Sequence, residues 1–174
     1  EDYYLRALNI SKNNYGNDDP ETVNIYIYLA KVELKQKDYY KAEKLFKNAL
    51  IKVEDLYGPE HKETGEIYKY LGTLNLNKKL YKEAESFYLK ALNINKKFHG
   101  NDHLIISLIL NDLGLLASKK GEYKKSKEYY LEAISIAENL GFEVNHPNIA
   151  TIKQNMALLP PQAGLFIEKE EIYL

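Results

Sequence analysis

The sequence contains no cysteine, which excludes disulfide bonds, thiolate catalysis and zinc sites that use cysteine ligands. A chain without cysteine is consistent with a cytoplasmic protein, and this is the location that we expect. Positive charge comes almost entirely from lysine, since Arg6 is the only arginine among 24 basic residues. The net charge is −1, so no overall field favours nucleic acid or a membrane as a partner. No apolar run is long enough to predict a transmembrane helix.

Enzyme motifs are missing as well. The sequence has no phosphate-binding loop, dinucleotide fingerprint, metalloprotease helix or nucleophile elbow. Its many carboxylates stand next to lysines, which predicts solvated surface charge rather than an acid–base pair. We therefore expect no catalytic site, no cofactor and no bound metal. Because the first residue is Glu1 and the chain opens inside a repeat, we also expect it to be part of a longer protein.

The sequence does contain a repeat with a period of 42 residues. The segment "FYLKALNINKKFHGNDH" (87–103) follows "LFKNALIKVEDLYGPEH" and "YYLRALNISKNNYGNDD" at this interval. Periods of 20–50 residues are typical of arrays that stack one structural unit on the next. Three places recur: an aromatic residue (Tyr4, Phe46, Tyr88, Tyr130), an alanine (Ala7, Ala49, Ala91, Ala133), and a leucine before a small residue (Leu29-Ala30, Leu71-Gly72, Leu113-Gly114).

The residue pattern of each repeat predicts two helices. Apolar residues at helical spacing indicate a first helix, and a short break such as Lys37-Asp38 separates it from a second. Glycine is the stop signal for the second helix. The predicted first helices begin after Asp19, His61, His103 and His146, and the second helices end at Gly16, Gly58, Gly100 and Gly141.

Histidine recurs at the helix starts, which predicts a capping or packing role for His61, His103 and His146. His99 and His103 could be read as a metal pair. However, Gly100 breaks the helix that an i, i+4 pair needs, so we expect no metal there.

Small residues in mid-helix indicate where helices touch. Glycine in a helix costs about 1 kcal/mol relative to alanine. Ala30, Gly72 and Gly114 occupy one repeated place, which predicts a close helix contact without room for a larger side chain. Phe46 and its equivalents supply the bulk that fills the neighbouring space.

The leucine–small pairs and the small–aromatic–small series of Ala42, Phe46 and Ala49 resemble the tetratricopeptide repeat. The 42-residue period, with "YGPEH" and "HGNDH" in the connections, is most similar to the repeats of kinesin light chain. The resemblance implies an all-α, right-handed superhelical solenoid of antiparallel helix pairs. We expect one tetratricopeptide-repeat domain over 1–174. It would comprise a lone second-type helix (1–17), full repeats (18–59, 60–101 and 102–144) and a partial, degenerate capping repeat (145–174).

In the resembled family, the first helix of each pair lines a concave surface that holds peptide segments. The register places Ile27 and Glu66 on that side. It also places there the residues that we expect to bind a peptide: Asn24, Tyr28, Lys31, Lys35, Lys69, Tyr70, Thr73, Asn111, Asp112, Leu115 and Asn155. Many family members carry an asparagine before the repeated leucine, where it bonds the peptide backbone. Tyr28, Tyr70 and Asp112 replace it here, and only Asn155 keeps it.

The resemblance implies non-catalytic binding of a protein or peptide, as a scaffold, an adaptor or a cargo-binding array like that of kinesin light chain. A regulatory or sensing array attached to an enzyme or signalling domain elsewhere in a longer chain is the alternative. The lysines with Tyr28 and Tyr70 favour an acidic partner segment with an apolar anchor, or else they form a solvated face without a specific ligand. For the tail "LPPQAGLFIEKEEIYL" three interpretations remain open: a degenerate capping helix, a groove-binding or domain-swapped segment, or a disordered segment.

Overall fold

The computed structural model describes residues 2–143 and 146–161. Within these ranges the chain forms helices and no strands, so the all-α prediction is confirmed. The helices are α1 (Asp2–Tyr15), α2 (Pro20–Lys35), α3 (Tyr39–Tyr57), α4 (Lys62–Asn77), α5 (Tyr81–His99), α6 (Leu104–Lys120), α7 (Tyr123–Asn139) and α8 (Pro147–Ala157).

The division into repeats stays a prediction, although α2–α3, α4–α5 and α6–α7 are the helix pairs that it requires. The end of the proposed capping repeat, with most of the tail, lies in residues 162–174, outside the described residues. The chain forms two compact units, Glu1–Phe98 and His99–Leu174. The first unit holds α1 to α5 except the last residue of α5, and the second holds α6 to α8.

The first helices α2, α6 and α8 begin at side chains that satisfy free backbone N–H groups. The Asp19 carboxylate accepts a hydrogen bond from Glu21 N at 2.9 Å, as expected of an N-cap residue before proline. His103 and His146 do the same through Nδ1, which accepts from Ile105 N at 3.2 Å and from Asn148 N at 3.3 Å. His61 makes no such bond. Its ring instead stacks on Tyr57, with centroids 4.7 Å apart.

The break inside each pair has the same geometry three times. Lys37, Lys79 and Gly121 stand at equivalent places, and all have left-handed backbones with φ of 66°, 61° and 80°. The next residue closes the turn by donating to a carbonyl five residues back, for example from Asp38 N to Glu33 O at 3.0 Å. This pattern is the Schellman motif. The sequence did not predict it for the first two pairs, because lysine rarely adopts a left-handed backbone.

The core of the first unit forms where the small residues of one helix meet the rings of the next. Ala30, Ala42, Phe46 and Ala49 have no exposed surface. In α4, a Cβ added to Gly72 would lie 2.5 Å from Cδ1 of Tyr88, a distance at which atoms overlap. The predicted tight contact at Gly72 is therefore confirmed.

The second unit repeats this contact. A Cβ on Gly114 would lie 2.5 Å from Cε1 of Tyr130, and both residues are buried. Ser126 adds a hydrogen bond from its hydroxyl to Gly114 O at 2.7 Å. The backbone of α6 is thus held directly against α7.

We predict that Gly72→Leu lowers the free energy of unfolding by roughly 1–3 kcal/mol or more, because a side chain there must displace the Tyr88 ring. Thermal and urea unfolding, followed by circular dichroism, measure the loss. Ser86→Leu on the exposed side of α5 adds a similar side chain without that overlap and serves as the control. If Gly72→Leu unfolds like the parent protein, the Gly72–Tyr88 contact does not limit side-chain size.

Candidate functional site

In the first unit, α2 and α4 lie side by side and carry most of the predicted binding residues. Positions three, four and seven apart share one face of a helix. On α2 this register aligns Asn24, Tyr28, Lys31 and Lys35, and on α4 it aligns Lys69, Tyr70 and Thr73. We call these residues, together with Glu66, the α2–α4 surface. Ile27 was expected on this side, but it is only 4% exposed and belongs to the core.

Lys31 makes three contacts within the α2–α4 surface. Its ammonium donates to Glu66 Oε1 at 2.7 Å. It also lies 4.7 Å from the ring centroid of Tyr70 and 5.1 Å from that of Tyr28, within the range of cation–π attraction. Two rings and one carboxylate therefore fix the position of this charge.

The surroundings of Lys31 change its protonation equilibrium. Burial alone would lower the pKa of Lys31, but the hydrogen bond and charge of Glu66, aided by Tyr70, raise it above the ordinary value. Because the pKa is higher in the folded state, the stabilisation is complete below the ordinary lysine pKa. It is lost as the pH rises through the raised value. Lys31 is thus fully charged at neutral pH.

Tyr28 and Tyr70 each stack on an aromatic residue of the preceding helix. Tyr70 lies on the buried Phe46 with centroids 5.5 Å apart and an interplanar angle of 5°. Tyr28 lies on Tyr4 at 6.0 Å and 15°. These tyrosines directly precede the repeated leucines of α2 and α4, and they extend the packing of the core to the surface. Tyr28 remains 51% exposed and offers an apolar contact.

Thr73 has a structural role that the sequence did not predict. Its hydroxyl accepts a hydrogen bond from the Tyr88 hydroxyl at 3.1 Å and donates to Lys69 O at 3.2 Å. Thr73 therefore anchors the ring that packs on Gly72. One feature of the sequence could have indicated this role: Thr73 directly follows the repeated glycine.

The second unit carries the other predicted binding residues on α6 and α8. Asn155 Nδ2 donates to Asn111 Oδ1 at 2.9 Å, which links the two helices. Asp112 and Leu115 are half-buried. Burial, together with the negative charge of Asp112, raises the pKa of the Tyr130 hydroxyl. Leu115 occupies the place of Thr73 and has no hydroxyl, so the second unit does not repeat the Tyr88–Thr73 bond.

The two histidines considered as a metal pair lie close together in the second unit. The rings of His99 and His103 stack with centroids 4.0 Å apart. Among the described residues, no group of three or more histidine, aspartate or glutamate side chains is arranged to hold a metal ion. No helix formed by these same residues is both long and apolar enough to cross a bilayer.

The sequence matches the tetratricopeptide repeat family over residues 22–97 and again over residues 71–139. These matches cover more than half of the chain, which therefore belongs to the tetratricopeptide repeat family. Proteins of this family are generally non-catalytic scaffolds that bind protein partners. No curated protein matches the sequence.

Solved structures have the same fold. BtubC (BKLC) from P. vanneervenii has a TM-score of 0.80 at 18% sequence identity, and the alignment covers 98% of this chain and 67% of that one. A Podosopora anserina protein described as a putative kinesin light chain with nearly identical TPR-like repeats gives a TM-score of 0.71 at 15% identity. Its alignment covers 99% of this chain and 81% of that one. A second crystal structure of these repeats, from a variant with one substitution, has a TM-score of 0.72. The predicted likeness to kinesin light chain repeats is confirmed at the level of the fold.

We predict that Thr73→Val lowers the free energy of unfolding by about 1 kcal/mol, because the Tyr88 hydroxyl loses its acceptor while the volume of the side chain stays the same. Urea unfolding measures the difference. Thr151→Val is the matched control, since the Thr151 hydroxyl lies on the exposed side of α8 and donates to Pro147 O within its own helix. Equal stability of Thr73→Val and the parent would contradict the anchoring role of Thr73.

Proposed function

We propose that the chain is a non-catalytic adaptor or scaffold whose α2–α4 surface binds an acidic segment of a protein partner through an apolar anchor. The observation that carries this proposal is the presence of three lysines, Lys31, Lys35 and Lys69, on the surface that also carries the half-exposed Tyr28. One carboxylate, that of Glu66, accompanies them on this surface. The surface therefore carries an excess of positive charge in a protein whose net charge is −1.

The physical case for an acidic partner is the preorganisation of Lys31. A lysine normally loses side-chain entropy when it binds an anion. Here the rings of Tyr28 and Tyr70 already restrict the Lys31 side chain, so less of that entropy remains to be lost on binding. Lys35 is exposed one turn further along α2, and Lys69 lies over Tyr70 at 4.9 Å. A carboxylate near these lysines would form charge-assisted hydrogen bonds.

The anchor is the second half of the proposal. Tyr28 is 51% exposed, and an aromatic or aliphatic side chain of the partner would bury the exposed part of its ring. Charge alone gives little specificity, because exposed ion pairs are weak and are screened by salt. An apolar contact beside the lysines would set the position of the acidic segment along α2.

In the second unit, we propose that Asn155 contacts the backbone of a partner, as the family resemblance implies. Its amide nitrogen already donates to Asn111, so its carbonyl oxygen would accept from a peptide N–H. Asn111, Asp112 and Leu115 line the same surface of this unit. The likeness to kinesin light chain repeats makes cargo binding the form of adaptor activity that we favour.

We predict that reversing Lys31, Lys35 and Lys69 to glutamate leaves the helix content unchanged and abolishes binding of a fluorescein-labelled, glutamate-rich peptide with one phenylalanine. The loss should be larger at about 50 mM than at about 500 mM salt, because the screening length shortens as the ionic strength rises. Fluorescence anisotropy measures the affinity and circular dichroism the helix content.

The matched control reverses Lys37, Lys44 and Lys82, which are exposed outside the α2–α4 surface, and so changes the net charge equally. A peptide in which glutamine replaces glutamate tests whether the charge is needed. If the two triple variants bind the acidic peptide equally, the binding site is not the α2–α4 surface.

A further inference from the structure

Glu66 is the one acidic side chain of the α2–α4 surface, and its carboxylate is bonded to the central lysine. We propose that Glu66 is an internal competitor that occupies the place of an acidic side chain of the partner, which displaces it from Lys31 on binding. This inference rests on the proposed function and adds a residue that limits the affinity of the same surface.

The first support is the asymmetry of the contacts around Lys31. The Tyr28 and Tyr70 rings are each supported by stacking on an aromatic residue of a preceding helix. The Glu66 side chain is 40% exposed, compared with 24% for Lys31. Lys31 is the partner that the described residues provide for Glu66. A rotation of Glu66 into solvent would therefore break one contact and leave Lys31 between the rings.

The second support comes from the repeat. The residues equivalent to Glu66 are Asn24 in α2 and Leu108 in α6, one period away on either side. An amide and an apolar side chain are thus accepted at this place in the same fold. The helix pair does not require a carboxylate here, so Glu66 is explained better by its contact with Lys31 than by packing.

The third support is energetic. A partly exposed ion pair contributes little to stability, because water and salt compete for both charges. Exchanging the Glu66 carboxylate for that of a partner would keep the number of ion pairs constant. The favourable free energy of binding would then come from the remaining contacts, at Lys35, Lys69 and Tyr28. Such an exchange lowers the affinity for acidic segments in general and favours a segment that reaches all of these contacts.

The test compares Glu66→Gln with the parent protein, using the same glutamate-rich peptide with one phenylalanine as the probe. We expect a gain in affinity of roughly two- to fivefold at low salt, in keeping with the strength of partly exposed ion pairs. Glu43→Gln is the matched control. Glu43 in α3 also forms ion pairs, with Lys47 at 2.7 Å and with Lys78, which follows α4, at 2.9 Å, and its side chain is 28% exposed, so this variant makes the same charge change elsewhere.

A mutant cycle tests whether Glu66 acts through Lys31. In the Lys31→Met background, Glu66→Gln should no longer increase the affinity. If Glu66→Gln equals the parent, or equals Glu43→Gln, while the triple reversal of Lys31, Lys35 and Lys69 still abolishes binding, this inference is wrong and the proposed function stands. If neither the parent nor Glu66→Gln binds the probe, both are wrong. A gain that persists in the Lys31→Met background would also overturn the inference.

Discussion

The contact between a glycine or alanine and an aromatic ring is the constraint on which the helix pairs depend. At Gly72 and Gly114 the ring of the next helix lies so close that even a methyl group would overlap it. This contact sets the distance between the two helices of a pair. It also explains why a residue unfavourable in helices recurs in mid-helix, since the dispersion and burial gained by the ring offset the cost of glycine. The Tyr88–Thr73 bond fixes the ring that makes this contact in α5.

Much of the fold could be predicted from the sequence, because repetition multiplies weak signals. A single leucine–glycine pair means little, but the same pair one period apart, with a ring at a constant offset, specifies a helix contact. The caps at Asp19, His103 and His146 followed from residue type and position. The left-handed turns at Lys37 and Lys79 did not, because only Gly121 among the equivalent residues signals such a backbone.

The candidate site was predicted less completely. The register placed Lys31, Lys69 and Tyr70 on one side, yet it could not show that Lys31 bonds to Glu66, 35 residues further along the chain. Such pairs depend on the rotamers of two long side chains and on the distance between α2 and α4. Nor could the helical register distinguish residues that could bind a partner from residues that pack inside the protein. It assigned Ile27 to the surface, whereas the structure buries it, and it did not reveal that Thr73 supports Tyr88.

The stacking of Tyr28 and Tyr70 on earlier rings restricts how this surface can change during evolution. A substitution at Tyr70 would uncover Phe46 in the core, so any gain in recognition there would be accompanied by a loss of stability. Asn24, Lys35 and Glu66 do not stack on core residues in this way, so substitutions there would change the stability of the fold little. New partner preferences would therefore arise at these outer positions, while the aromatic rings between them stay the same.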